Sequence, residues 1–304
     1  MADDIDFDLH FIPAHETPVL IAPGVERVTA NNPSPFTFQG TNSYIVGPGS
    51  TVAVIDPGPD DPAHFEALMA ALGPRRVSHI FVSHTHRDHS PLARRLSAET
   101  GALTVGEGPH RASRLLHMGE INPLAESADL DFVPDIAIAD DGMIEGDGWS
   151  LSAIHTPGHT ANHCAFALSD SGILFSADHV MAWATTIVAP PDGSMADFMR
   201  SVERLLARDD QIFFPGHGGA VREPRAFLRG LRAHRRMRER AVLERIKAGD
   251  RLIPEMVKAI YAKTDVRLHG AAALSVLAHL EDLVEKGHVT TEGPVSLTGE
   301  YRPA

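Results

Sequence analysis

Short, nearly continuous apolar runs separated by turn residues fill the first two-thirds of the chain. Residues 43–46 and Thr51–Ile55 are two such runs, and Gly47-Pro48-Gly49-Ser50 between them predicts a hairpin. Further strand-like runs stand at residues 77–82, 151–154, Cys164–Leu168, 172–175 and 211–214. Helical spacing appears over Pro62–Leu72, with a proline early and Gly73 at the end. It recurs over 90–100, closed by Gly101, and over 194–207. This mixture predicts two sheets packed face to face with helices outside, an α/β (α+β) class.

The texture changes after His217. Pro224 opens a long helix running to Lys247, and Gly249 stops it. A helix over 254–263 and another over 271–286, closed by Gly287, lead to a small β-wing over 289–297. Three helices and a wing resemble a winged-helix module, so the chain divides into residues 1–221 and 222–304. The candidate recognition helix carries Glu281, Asp282 and Glu285, which phosphates would repel. The module therefore reads as a packing or homodimerisation element, not a duplex-DNA reader.

At 304 residues, 43% hydrophobic and 22% charged, the composition is ordinary for a globular protein. No apolar stretch approaches the length of a membrane span. Residues 1–8 are acidic and lack the pattern of a secretory signal, and the single cysteine excludes an internal disulfide. Both suit a cytoplasmic protein. Cys164 falls inside an apolar run and reads as a buried strand residue. The net charge of −13 is uneven, because residues 222–251 hold eleven basic against four acidic side chains, a local +7. Such a segment contacts a phosphate backbone, or forms a solvated helix whose arginines pair with acidic neighbours; the second reading is preferred.

The densest chemistry is His84-Thr85-His86-Arg87-Asp88-His89, directly after the apolar run at 77–82. On extended backbone His84 and His86 point the same way and converge on one cation, while Asp88 and His89, past the turn, face a second. Three later segments supply partners, each just after a short apolar run: His159 in Thr156-Pro157-Gly158-His159, Asp178 in Ser176-Ala177-Asp178, and His217 in Pro215-Gly216-His217-Gly218. Imidazole and carboxylate ligands suit zinc, with iron or manganese close behind.

In this ligand order the chain resembles the metallo-β-lactamase superfamily. The resemblance implies the αββα sandwich, with His84, His86 and His159 on one metal, Asp88, His89 and His217 on the other, and Asp178 between them. It also implies hydrolysis by a hydroxide bridging two divalent metal ions, aimed by Asp88, with no serine or cysteine nucleophile. Within the superfamily the chain is most similar to the lactamase-beta-like endoribonuclease group. The segments that carry this are Asn32-Pro33-Ser34-Pro35-Phe36-Thr37, Gly40-Thr41-Asn42, His86-Arg87-Asp88-His89-Ser90, Phe214-Pro215-Gly216-His217-Gly218 and His234-Arg235-x-x-Arg238-Glu239.

The leading expectation is therefore a metal-dependent phosphodiesterase, an endoribonuclease on single-stranded RNA. The alternative is a carboxyl-ester, thioester (glyoxalase-II-like) or lactone hydrolase, favoured by the acidic charge and the apolar strip 181–188. A third reading is a metal-binding regulatory protein without turnover. Asn42, His179, Trp183, His234 and Arg238 are candidate substrate contacts: Trp183 by stacking, His234 and Arg238 from one helical face. For each, a structural role stands beside the functional one. His155 and His163 are read as structural.

Overall fold

The computed structural model describes residues 5–304; the first four residues of the acidic amino-terminal stretch lie outside the described residues. One sheet is built in chain order from β1 (Val19–Ala22), β2 (Val25–Thr29), β3 (Asn42–Val46), β4 (Thr51–Ile55), β5 (Arg76–Phe81), β6 (Leu103–Gly106) and β7 (Ile136–Ala137). β1 to β4 pair antiparallel, and β4 to β7 run parallel. The first two parallel crossovers hold α1 (Pro62–Leu72) and α2 (Leu92–Thr100). The other sheet contains β8 (Met143–Glu145), β9 (Ser150–His155), β10 (Cys164–Leu168), β11 (Ile173–Ala177) and β12 (Ile212–Pro215), with β12 at the edge beside β11. α3 (Met195–Leu206) links β11 to its parallel neighbour β12.

Alternation along each strand sends side chains to two different cores. Tyr44, Val46, Phe81, Phe166, Phe175 and Phe214 meet between the sheets. Ile45 and Ile80 turn outward onto Leu68 and Leu92 of α1 and α2. Leu174 and Phe213 turn outward onto Phe198 and Val202 of α3. Sheets covered on both faces need apolar residues at every position, which is why the strands read as continuous runs. This is the αββα sandwich, and Cys164 is fully buried within it.

The carboxyl-terminal part forms α4 (Pro224–Lys247), α5 (Ile253–Ile260), α6 (His269–Glu285) and a two-stranded wing, β13 (Val289–Thr291) with β14 (Tyr301–Pro303). The wing differs from the expectation over 289–297. Gly293 takes a left-handed φ of +81° and Pro294 follows, so the chain turns away before the returning strand. That strand arrives at Tyr301, which is fully buried in the module's core. Helix ends shift by a few residues from the spacing pattern. Ser90 stays outside α2 because its hydroxyl donates to Asp129 Oδ2 at 2.7 Å.

α4 begins just after the boundary expected at 221/222 and packs against both parts. Its Leu228 and Leu231 pack with the sandwich, and its Val242 and Ile246 pack with the module. α6 adds an ion pair from Glu281 to Arg114 of the sandwich at 2.7 Å, while Asp282 pairs with Lys286 at 2.6 Å and Glu285 is exposed. The basic stretch is partly neutralised. Arg232 and Arg236 reach Glu203 at 2.9 and 3.1 Å, and Arg245 reaches Asp250 at 2.7 Å. Among the described residues no helix is long and apolar enough to cross a membrane.

α6 also buries His279, 1% exposed, with neither ring nitrogen hydrogen-bonded. Burial first, then the charges of Arg235, His234, Lys286 and Arg238, push it down to about 3 from 6.5. A depressed histidine favours the fold fully above the unfolded value and loses that contribution as pH falls toward the folded one. His279→Leu is expected to flatten the acid limb of stability against pH by one proton, about 1.4 kcal/mol per pH unit. Urea midpoints taken between pH 7 and pH 4 measure this; an unchanged slope would show that His279 is not the group responsible.

Candidate metal centre

Every expected ligand lies just past the carboxyl end of a strand, and all of them gather on one edge of the sandwich. His84 follows β5, His159 follows β9, Asp178 follows β11 and His217 follows β12. In one cluster His84 Nε2 and His159 Nε2 each stand 3.0 Å from His86 Nδ1. In the other, Asp88 Oδ2 lies 3.4 Å from His89 Nε2 and 3.2 Å from His217 Nε2, and those two nitrogens are 3.4 Å apart. Asp178 reaches both. Its Oδ1 is 3.4 Å from His89 Nε2, while its Oδ2 is 3.3 Å from His217 Nε2 and 3.6 Å from His159 Nε2.

Ligands around one tetrahedral ion with metal–nitrogen bonds of about 2.0–2.1 Å stand roughly 3.3 Å apart. Both clusters match that spacing. The far side of most rings is fixed by an oxygen. His89 Nδ1 donates to Asp56 Oδ2 at 3.0 Å, His159 Nδ1 to Ile187 O at 2.7 Å, and His217 Nδ1 to Gly40 O at 3.2 Å. His84 Nδ1 meets Ser83 Oγ at 2.9 Å, and that hydroxyl donates onward to Asp56 Oδ2 at 2.7 Å. With Nδ1 carrying the proton, each Nε2 lone pair points into the cluster. Asp178 Oδ1 is buried without a hydrogen-bond partner. Converging lone pairs repel unless a cation lies between them, so this donor set fits two divalent metal ions.

Electrostatics divide the two clusters. Burial, joined by the neighbouring rings, drives His84 well below its ordinary value and His86 down to about 3. Both rings therefore keep their lone pairs in mildly acidic solution. In the second cluster burial opposes protonation of His217, but Asp178 and Asp88 overcome it and raise that ring to about 9. His89 is raised against burial in the same way by Asp88, Asp178 and Asp56. The carboxylate-rich half thus attracts positive charge.

Sequence reasoning missed Asp56. It is 2% exposed, sits just past β4 in a left-handed conformation (φ 48°), and accepts from Ser83 N at 2.7 Å. It thereby orients His84 through Ser83 and His89 directly. The signal was present: Asp56-Pro57-Gly58 follows an apolar run, as the expected ligands do.

The five candidate substrate contacts are placed differently from one another. Asn42 departs from the expectation. Fully buried, it donates both amide hydrogens, to Pro215 O and Gly218 O at 3.0 Å each, and so braces the His217 turn. His179 is also turned inward, its ring 4.5 Å from that of Phe198 and its nitrogens unpartnered. His234 and Arg238 sit on α4 at the junction with the module, with Arg238 over the Tyr261 ring at 4.6 Å. Trp183 is partly exposed beside Gly218 and stacks on Phe38 at 4.8 Å, forming an aromatic wall next to His217. The rest of the apolar strip 181–188 is largely core: Met181, Ala182 and Val188 are buried. His155 and His163 bond to Ile138 O and Thr156 Oγ1 and stay structural.

Comparison with known proteins agrees with this geometry. Residues 36–217 match the model of the metallo-beta-lactamase superfamily, and residues 253–294 match that of the beta-lactamase associated winged helix domain. The chain is 30% identical to a beta-lactamase-like protein 2 homolog of Drosophila melanogaster, over 88% of this chain and 92% of that one. It is 28% identical to an atrochrysone carboxyl ACP thioesterase of a Cryptosporiopsis species, over 76% of this chain and 66% of that one. A beta-lactamase domain protein from Burkholderia ambifaria shares the fold with a TM-score of 0.79 at 21% identity, covering 98% and 97% of the two chains. With its ligand order, its strand-end clusters and its terminal module all in agreement, the chain belongs to the metallo-beta-lactamase superfamily.

Proposed function

We propose that this protein hydrolyses acyl thioesters at the edge of the sandwich, with zinc as the ion in both clusters. The observation that carries the reading is the likeness to an acyl-carrier thioesterase across three-quarters of this chain. Two divalent ions supply a water of lowered pKa and polarise the substrate carbonyl. The chain's own residues do the rest. Asp88, held by Thr41 Oγ1 at 3.3 Å, accepts a hydrogen bond from the attacking water and fixes its direction. The Phe38–Trp183 wall packs the apolar acyl part beside His217.

A cavity of about 350 Å³ lies elsewhere, lined by Met118, Ile121, Pro190, Leu277 and Leu297 among others, and it shares no lining residue with that wall. Most of its sandwich side belongs to a segment tied to the first motif at both ends, by the Asn162 amide, which donates to Thr85 Oγ1 and Gly108 O, and by Arg87 N donating to Ser127 O. The leaving group also suits the site. A thiol with pKa near 8.5 departs as thiolate and needs no general acid, whereas an alkoxide would need a proton. The imidazoles of the two clusters are all committed to the centre. Single-stranded RNA has less in its favour, since α4 directs several of its arginines to Glu203, Asp250 and the interior.

The test sets acyl-CoA and acyl-pantetheine thioesters beside lactones and a fluorescent single-stranded RNA, with wild type and Asp88→Ala. Thioester turnover is expected in the wild type and should fall by about 10²–10⁴ in the variant, as for loss of a group that handles the reacting proton. RNA cleavage confined to the wild type, with thioesters intact, would reverse the assignment.

A further inference from the structure

Arg235 on α4 is 3% exposed and its Nε has no hydrogen-bond partner. Among the described residues no carboxylate lies close enough to pair with it, and its guanidinium lies 5.0 Å over the Phe198 ring. Burying an unpaired charge is costly, and an apolar side chain would fill the same space without that cost. One contact explains the charge: Nη2 donates to Thr186 O. The Thr186 hydroxyl in turn faces Asp178 O at 2.5 Å and His179 O at 3.0 Å. The next residue, Ile187, presents the carbonyl that orients His159 at 2.7 Å. The turn over residues 178–187 therefore carries the bridging carboxylate at one end and the orienting carbonyl of a first-cluster ligand at the other.

We infer that Arg235 is a positioning residue for the metal centre, through which the carboxyl-terminal helix holds Asp178 and His159 in place by way of Thr186. This rests on the metal-centre reading but not on any substrate. A hydrogen-bonded guanidinium fixes the carbonyl direction, which packing alone would leave free to tilt. The winged-helix module thus has a part in metal binding, because α4 is shared between the sandwich and the module.

Chelator competition with zinc on metal-free, full-length protein tests this. Arg235→Met is expected to weaken zinc binding about 10–100-fold, the range for loss of an outer partner of a ligand. Thr186→Val keeps the carbonyl that Arg235 holds but removes the hydroxyl that reaches Asp178 O, so it breaks the arm to Asp178 and is expected to act in the same direction. The double variant should be no worse than the weaker-binding single one, because one chain of contacts is broken either way. Arg235→Lys should recover part of the loss. Thermal unfolding of the metal-free proteins reads the fold separately, and a merely structural Arg235 would lower that transition while leaving zinc affinity unchanged. Should Arg235→Met not fold, Thr186→Val alone decides. Wild-type zinc affinity in Thr186→Val, or additive losses in the double variant, overturns the inference. Absence of zinc binding by the wild type would overturn the metal-centre reading instead.

Discussion

Asp178→Ala is expected to lower hydrolysis by more than about a hundredfold, beyond the 10–100-fold typical of residues that only support a ligand. Its two oxygens stand within 3.6 Å of His159, His89 and His217, so a single side chain spans both clusters. The residue before it, Ala177, takes a left-handed φ of 43°, a conformation that favours glycine, and this turns Asp178 inward at the end of β11. Removing the carboxylate also leaves His89 and His217 facing one another with only Asp88 between them. The variant should retain less than two ions per chain after dialysis, with the loss mainly from the second cluster. Asp178→Asn keeps the shape but not the charge and should fall between. Elemental analysis together with turnover measures both effects, and full occupancy with unchanged turnover in Asp178→Ala would remove Asp178 from the centre.

Gly216→Ala should damage the site almost as severely without deleting any ligand. A β-carbon at this position would lie 2.4 Å from Asp178 Oδ1 and 2.6 Å from His89 Cε1. The Gly216 backbone cannot swing away, since its N–H donates to Ala177 O at 3.0 Å, and His89 can move only by straining its hydrogen bond to Asp56. Both ligands must therefore shift, and a displacement of about 1 Å costs roughly 10²-fold in rate. Overpacking should also lower stability by about 1–3 kcal/mol. Gly270→Ala is the matching control. That glycine lies in α6 with open space around it, so the change should leave turnover intact and add up to about 1 kcal/mol of helix stability. Similar turnover in the two alanine variants would show that the tight contacts at Gly216 relax freely.

The two glycine-histidine motifs illustrate what could be read beforehand. Glycine before His159 and before His217 signals close approach, and in both places a β-carbon would strike neighbouring atoms. At Gly158 the obstacle is the Phe198 backbone, and φ is +142°, so conformation and space both demand glycine. At Gly216 the obstacle is the candidate metal centre, through Asp178 and His89. Asp56 follows an apolar run just as the ligands do, yet its role depends on Ser83 and His89 being folded against it.

The order and type of the candidate ligands, their places after strands, and the two-sided burial of those strands were determined by the sequence alone. Each is a local property, set by residue type, alternation and the turn residues that follow an apolar run. Only the tertiary structure decided how the remaining polar groups are used. Asn42 lies 173 positions from its acceptor on Pro215, Arg235 lies 49 from Thr186, and the wing's second strand returns only at Tyr301. A buried amide or guanidinium must find partners wherever the packed chain presents them, and partners so distant in sequence leave no periodic trace.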